Sequence, residues 1–570
     1  MKRKEEDPHR LQVRADRLGS LPIVNHFLDR LRLEPTFERF VPTSDPRSAL
    51  SHAKSLGVLL RSIIVEREPV YRQQETVEPF AAGLFGIKAG EVRLLNDDRI
   101  GRALDRLYDA DRAALGTELV IRLSKHFKVR FDRLHNDSTT IRFCGNYRAA
   151  RGRWLRGKQA PWITYGKSKD HRPDLKQLLF ILTTSADGGV PVQFRCAHGN
   201  TEDSQTHIET WNSLRELTGT ADFLYVADSK LCSRENLDYI DQNGGRLVTV
   251  IPRSRLEDSE FRNWIQANEP DWELVWDREP RRKNGPRDQW YVFRYHIPSR
   301  EAWPVTWVYS SLLALRQEQA RRERIARAVQ DLEELKRKLA SPKSRLRKAS
   351  EVDQRIEEIL AQARARDYVR VERAVEEDHS FRQKRPGRPG PTTEYRKVTR
   401  KRFDVTWEID EAAIAYERKS DGMYPLLTND RSLTPAQVLE AHKAQPQIEK
   451  RFEQTKTVHE IAPVFLKNEG RVEALFFLYF VALLVQGLIE REVRLGMDRE
   501  DIKRLPLYPE ERFCRRPTTD RMLELFAHAQ RITVSERDKV LHVAEPPLTE
   551  MQKTILRLLR VPARSYSSRA

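Results

Sequence analysis

The sequence is poor in cysteine. Its 570 residues include only Cys144, Cys196, Cys232 and Cys514, none in a Cys-x-x-Cys pair or at finger spacing from histidine. That argues against a disulfide framework and a structural zinc. Long apolar runs are equally scarce. The longest, residues 474–485 (ALFFLYFVALLV), lies between Glu473 and Gln486. It falls short of the ~20 residues that a membrane span needs, so the expectation is a buried helix and no membrane partner. The opening MKRKEEDPHR has no apolar stretch of the secretory type, and a soluble, cytoplasmic chain is expected.

What the sequence has in abundance is charge. Charged residues make up 33% and hydrophobic ones 39%, enough for a substantial core under a heavily charged surface. Lys and Arg number 102 against 84 acids, a formal net charge of +18. Such an excess favours a polyanionic partner, because Lys and Arg contacts to phosphate release condensed counterions. The length itself predicts three or four domains at roughly 100–200 residues each.

Residues up to about 125 carry helical periodicity, as in residues 56–65 (LGVLLRSIIV) and 96–127, with Asn96 and Asp97 as caps. A β-rich texture follows. Residues 129–136 (VRFDRLHN) predict a strand ending at Asp137. Residues 175–185 and 190–197 predict a hairpin turning on Asp187-Gly188-Gly189. A helix near 205–217, a buried-type strand at 223–227 closing at Asp228, a helix near 235–242 and a strand at 246–251 complete a mixed α/β series.

Residues 254–435 interrupt that series. Ile325, Val329, Leu332, Leu335 and Leu339 mark one amphipathic helix, and Val352, Ile356, Ile359 and Ala363 a second, with a break at Ser341-Pro342. Residues 382–392 (RQKRPGRPGPT) read as an exposed basic loop, followed by strands at 402–409 and 424–428. The arginines Arg385 and Arg388 lie in RPGRP, which resembles the Arg-Gly-Arg-Pro core of AT-hooks except at Pro386; a solvated linker is the competing reading. From 433 onward the chain reads as helical, ending with a helix at 548–559.

The sharpest chemical feature is two acids at strand ends. Asp137 lies in HNDSTT and Asp228 in VADSK. Carboxylates on adjacent strands can converge, and clustered acids make sense mainly as a cation site, since they otherwise raise one another's pKa. A third acid would allow two metal ions about 3.5–4 Å apart, one for the attacking and one for the leaving oxygen of a phosphoryl displacement.

These blocks resemble a known family. HNDSTTIRFCG, YGKSKDHRPDLKQ, HGNTEDSQT and LYVADSKLCS are similar to segments of bacterial insertion-sequence transposases with a DDE catalytic core on an RNase H-like fold. Their signature Tyr-x2-Arg-x3-Glu-x6-Lys is met at Glu449 and Lys456 within AHKAQPQIEKRFEQTK, while His442 stands where the signature has Tyr and Gln445 where it has Arg. Glu453 is the nearest competitor of Glu449. LGSLPIVNHFLDRL, LKNEGRVEALFFLYFVALLVQGLIERE and LPLYPEERFCRRPTTDRM extend the likeness over most of the chain.

The resemblance implies an α/β protein: an RNase H-like mixed-sheet core with an inserted domain, plus helical N-terminal and C-terminal domains. The expected divisions are a DNA-binding region at 1–125, core at 126–253, insertion at 254–435, the Glu449-bearing helices at 436–495, and a helical tail at 496–570. It also implies a transposase in which Asp137, Asp228 and Glu449 bind two Mg²⁺, with Mn²⁺ able to substitute. His442, Gln445 and Lys456, and Lys167 and Lys169 of GKSKDHRPD, are DNA-contact candidates along with Arg385 and Arg388. His135, Asn136 and Ser138 read as satisfied loop polars or as groups supporting the metal ligands, and Asp170 and His171, like Lys167 and Lys169, as DNA-contacting or structural. The implied partners are double-stranded DNA, as terminal inverted repeats and as target, and a second copy in the DNA complex, in the bacterial cytoplasm at the nucleoid. The alternatives are a catalytically silent DNA-binding descendant and a general nuclease on the same fold.

Overall fold

The computed structural model describes residues 11–567 apart from 46, 69, 146, 148–149, 281–284, 342–343, 459–465, 467 and 537–538. The expected break at Pro342 and the opening ten residues lie outside the described residues. The chain divides into two compact units, Met1–Thr249 with Glu440–Ala570, and Val250–Leu439.

The first unit contains five strands of a mixed sheet. In spatial order they are Pro191–Ala197, Lys176–Ser185, Arg133–Phe143, Leu224–Val226 and Arg246–Val250. Lys176–Ser185 is antiparallel to the strand on either side of it, and the last two run parallel to Arg133–Phe143. This is the RNase H-like arrangement, with the Asp137 strand at its centre. Neighbours on both sides bury that strand, which explains a departure from expectation. Asp137 does not end a strand at 136 but sits mid-strand in Arg133–Phe143. The polar run HNDSTT reads as a turn in isolation. In the sheet its groups find partners, as where Thr183 Oγ1 donates to Asn136 Oδ1 at 3.0 Å, and Thr139, Thr140 and Ile141 suit a pleated, buried surface.

The predicted hairpin turn forms. Gly188 and Gly189 have φ of +84° and +66°, a conformation that other residues adopt only with strain. Arg451 Nε donates to Gly189 O at 2.9 Å, and Arg491 clasps Asp187 at 2.8 Å. The turn therefore anchors two helices at once. One is Pro446–Glu453; the other is the 31-residue Glu469–Arg499, which contains the apolar run. That helix is long and apolar enough to cross a membrane by composition, but 89% of its most apolar window is buried within the fold.

Helices dominate residues 21–127, from Leu21–Arg30 through Arg112–Phe127. Asn96 and Asp111 cap two of them, each accepting a backbone N–H at 2.9 Å. The terminal regions are not wholly helical, however. Strand Leu11–Arg17 pairs with Gln530–Glu536, which pairs in turn with Lys539–Ala544. Leu11, Val13 and Val540 are exposed, so these strands lack the alternation that would have announced them.

The second unit has four antiparallel strands, Met423–Thr428, Val305–Ser310, Asp288–Arg294 and Glu273–Arg278. The two amphipathic helices are present as Ser311–Ala340 and Ala349–Ala363. They pack on the base of a long hairpin, Val369–Gln383 with Tyr395–Ile409, through Leu332, Leu335, Val352 and Ile359 against Val369, Phe403 and Val405. The basic segment expected to be irregular from residue 382 instead forms the hairpin's tip. Its flanking strands hide from pattern reading because they are exposed on both faces over most of their length.

Candidate active site

Strand register brings the first two acids together. Arg133 pairs with Leu224 and His135 with Val226, an offset of 91 residues (224 − 133). Asp137 and Asp228 differ by the same 91 (228 − 137), and each lies two residues beyond the last pair of that ladder, His135 with Val226, on the same side of the pleat. Asp228 lies just past the end of its strand, where its Oδ1 accepts the Lys230 N–H at 3.0 Å and Thr249 Oγ1 donates to its backbone oxygen at 2.7 Å.

The electrostatics carry the mark of this proximity. Burial pushes the Asp137 carboxyl up to about 7; Lys169 opposes the rise, and Asp228 and Asp203 add to it. Burial likewise raises Asp228, with Asp203 adding to the effect and the Lys230 N–H and Lys169 opposing. Two carboxyls that resist ionisation side by side suit a hard divalent cation, which binds carboxylate oxygens and completes its shell with water or phosphate. Among the described residues, no three His, Cys, Asp or Glu side chains gather closely enough to hold a metal ion. The pair at 137 and 228 is what the fold assembles; Glu449 stands exposed on Pro446–Glu453.

Gln445 ties that helix to the Asp137 strand. Its Nε2 donates to Asn136 O at 3.0 Å, and its Oε1 lies 3.1 Å from His135 Nδ1. Because the amide oxygen can only accept, His135 Nδ1 carries the proton. Burial lowers the His135 pKa to about 4, so the ring is neutral. The Gln445 amide is thus engaged inside the protein. His442 is also held neutral, its pKa lowered to about 3 by burial, with Lys443 and His135 adding to the effect.

Lys169 is the site's nearest cation among the described residues. Its ammonium lies 3.8 Å from Asp137 Oδ1 and 2.9 Å from Asp203 Oδ2, and it donates to Ser138 O at 2.7 Å. Ser138 Oγ donates to Asp203 at 2.8 Å. Asp203 is the residue sequence reasoning passed over. It sits in the quoted HGNTEDSQT block, but no spacing links it to Asp137. Lys456 lies on a π-helical turn, Gln454–Val458, directly after the Glu449 helix and pairs with Asp170 at 2.6 Å; Arg142 reaches the same carboxylate at 3.4 Å. Turns of this kind recur at functional sites. Lys167 is exposed nearby in sequence, and Arg385 and Arg388 lie on the hairpin tip of the second unit.

Residues 132–485, well over half of the chain, match the family described as "Transposase DDE domain". Residues 13–121 match a "Domain of unknown function (DUF4277)". No curated protein matches. Among solved structures, a piggyBac transposase synaptic complex with hairpin DNA is similar at 11% identity and a TM-score of 0.23, over 51% of this chain and 59% of that one. So weak an overlay, spanning little more than half of that protein, bears on neither fold nor function. The family match is of another order: this chain belongs to the transposase DDE-domain family.

Proposed function

We propose that the chain is a transposase that cleaves DNA at the ends of an insertion sequence and transfers the freed 3′ ends into target DNA. The observation that carries this reading is the parallel pairing of the Asp137 strand with the strand that leads into Asp228, whose charge acts on the Asp137 carboxyl. On this reading Asp137 and Asp228 would hold divalent cations, Mg²⁺ by preference and Mn²⁺ in its place, with Glu449, exposed on the helix that packs against the Asp137 strand, as the third ligand. Such ions, when bound, stabilise the charge that develops on attacking and leaving oxygens. The partners are double-stranded DNA, as inverted repeats and target, with two copies of the chain joining two ends.

The chain's own residues have separable roles. Gln445 is a positioning residue: it immediately precedes the helix Pro446–Glu453, so the side chain that grips Asn136 fixes the start of the helix that carries Glu449. Lys169 screens Asp137 and Asp203 until a cation arrives. Lys456 and Lys167 contact phosphate beside the site.

The direct test is a plasmid bearing the element's own terminal repeats, incubated with the full chain. Cleavage at the repeat boundary in Mg²⁺ and none in EDTA is expected. Cutting without preference for the repeats would point to a general nuclease instead. The exposure of Glu449 favours one rival, a catalytically silent DNA-binding descendant, which would bind the repeats and cut nothing. Gln445→Ala is expected to strip partners from buried His135 and Asn136, costing about 1–3 kcal/mol of stability. It should lower the cleavage rate at least about tenfold while leaving repeat binding unchanged; equal loss of binding would return Gln445 to the DNA-contact role.

A further inference from the structure

We infer that the distal end of the long hairpin in the second unit, residues 381–397, is a grip for duplex DNA. The inference rests on the reading of the chain as a DNA-handling enzyme, but it concerns residues of the second unit rather than the acids of the first.

The hairpin changes character along its length. At its base Val369, Phe403 and Val405 are buried against the two supporting helices. In its middle the charges match across the strands: Glu376 faces Arg402, Glu377 faces Lys401 and Asp378 faces Arg400. Opposite charges so placed stabilise a ladder. Beyond them the matching stops. From Phe381 to Lys397 there are six basic residues and one acid, Glu394, already paired with Lys384 at 2.9 Å. Arg382 and Arg396 face each other directly, and like charges in that position destabilise a hairpin. Among the described residues, Arg382, Arg385, Arg388, Arg396 and Lys397 form no ion pair.

Folding gains nothing from this arrangement; a polyanion resolves it by releasing counterions. The shape narrows the polyanion to a duplex. Side chains alternate between faces, so Arg382 and Arg396 lie on one and Lys397 on the other. A two-stranded ribbon fits a major groove about 12 Å wide, whose walls present phosphates to both faces; a lipid surface would engage one. Phe381 and Tyr395, 68% and 49% exposed, share the Lys397 face and supply flat apolar contact. Six residues separate Lys397 from buried Phe403, so at about 3.3 Å per residue the grip stands roughly 20 Å beyond its base.

The test uses the full chain with Arg382, Arg385, Arg388 and Arg396 all changed to Gln. Binding to a random-sequence duplex is measured by fluorescence anisotropy across a salt series in EDTA. With about 0.9 of slope per phosphate contact, the dependence of log K on log salt should flatten by roughly 3–4, with at least about tenfold weaker binding near 0.15 M salt. The corresponding quadruple Lys variant should keep the slope. Unchanged slope and affinity in the Gln variant would overturn the grip, as would equal loss in the Lys variant. So would unaltered DNA binding alongside lost binding to phosphatidylserine vesicles. Because no metal is present, failure of the cutting site would leave this result intact, and failure of the grip would leave metal-dependent cleavage intact.

Discussion

Asp137→Asn is expected to abolish cleavage and, at the same time, to stabilise the metal-free protein at pH 8. Loss of one carboxylate from the proposed pair should cost on the order of 10³-fold or more in rate, about 4 kcal/mol of barrier. The gain in stability follows from the carboxyl's raised pKa, about 7 against an ordinary 3.8. Between these values the folded state holds a proton that the unfolded chain has released. The stabilisation is full below about pH 4 and is lost as pH rises to about 7. The gap corresponds to about 4 kcal/mol, and Asn, which cannot ionise, escapes that loss. Melting in EDTA at pH 5 and pH 8 reads it: the variant should gain on wild type mainly at pH 8. A variant that cuts normally would refute the catalytic assignment, and one that melts lower at pH 8 would refute the electrostatic account.

The second large effect lies behind the site. Glu490 is fully buried and faces Lys450 at 3.2 Å, Arg451 at 3.1 Å and Arg494 at 3.2 Å, and it accepts the Thr519 N–H at 3.1 Å. Burial alone would push its carboxyl up, but Arg451, Lys450 and Arg494 prevail and hold it at about 2. Glu490→Gln would leave three cations facing one another in the interior, at a cost of about 3–5 kcal/mol. Denaturant unfolding should show this as a shift in midpoint. The depressed pKa also predicts that wild type loses up to about 3 kcal/mol as pH falls from about 4.5 to about 2, a loss the Gln variant lacks. Because Arg451 also holds Gly189 and lies on the Glu449 helix itself, cleavage should fall with stability. A midpoint within about 0.5 kcal/mol of wild type would show that the hub contributes nothing net.

Much of the core was legible in the residues. Gly188-Gly189 announced a hairpin because few other residues tolerate positive φ, and the apolar strands on either side announced themselves by composition. The exposed terminal strands and the long hairpin did not, since a strand without a buried face has no alternation to read. In the site, Asp137 and Asp228 stood out through the motifs around them. Asp203 did not, because its relation to Lys169 and Ser138 exists only after the segment at 160–175 folds along the Asp137 strand. Gln445 was read from its place in a signature as a DNA contact, whereas its amide is bound to His135 and Asn136.

By itself the amino-acid order determined the buried local elements, the excess of basic charge and which acids are candidates, since these depend on side-chain chemistry and short-range periodicity. Tertiary structure alone decided that the Asp137 strand runs beside the one leading into Asp228, that Gln445 turns inward and that Arg382 confronts Arg396. Register, burial and cross-strand opposition arise between segments distant along the chain, and only packing brings such segments within range of one another's fields.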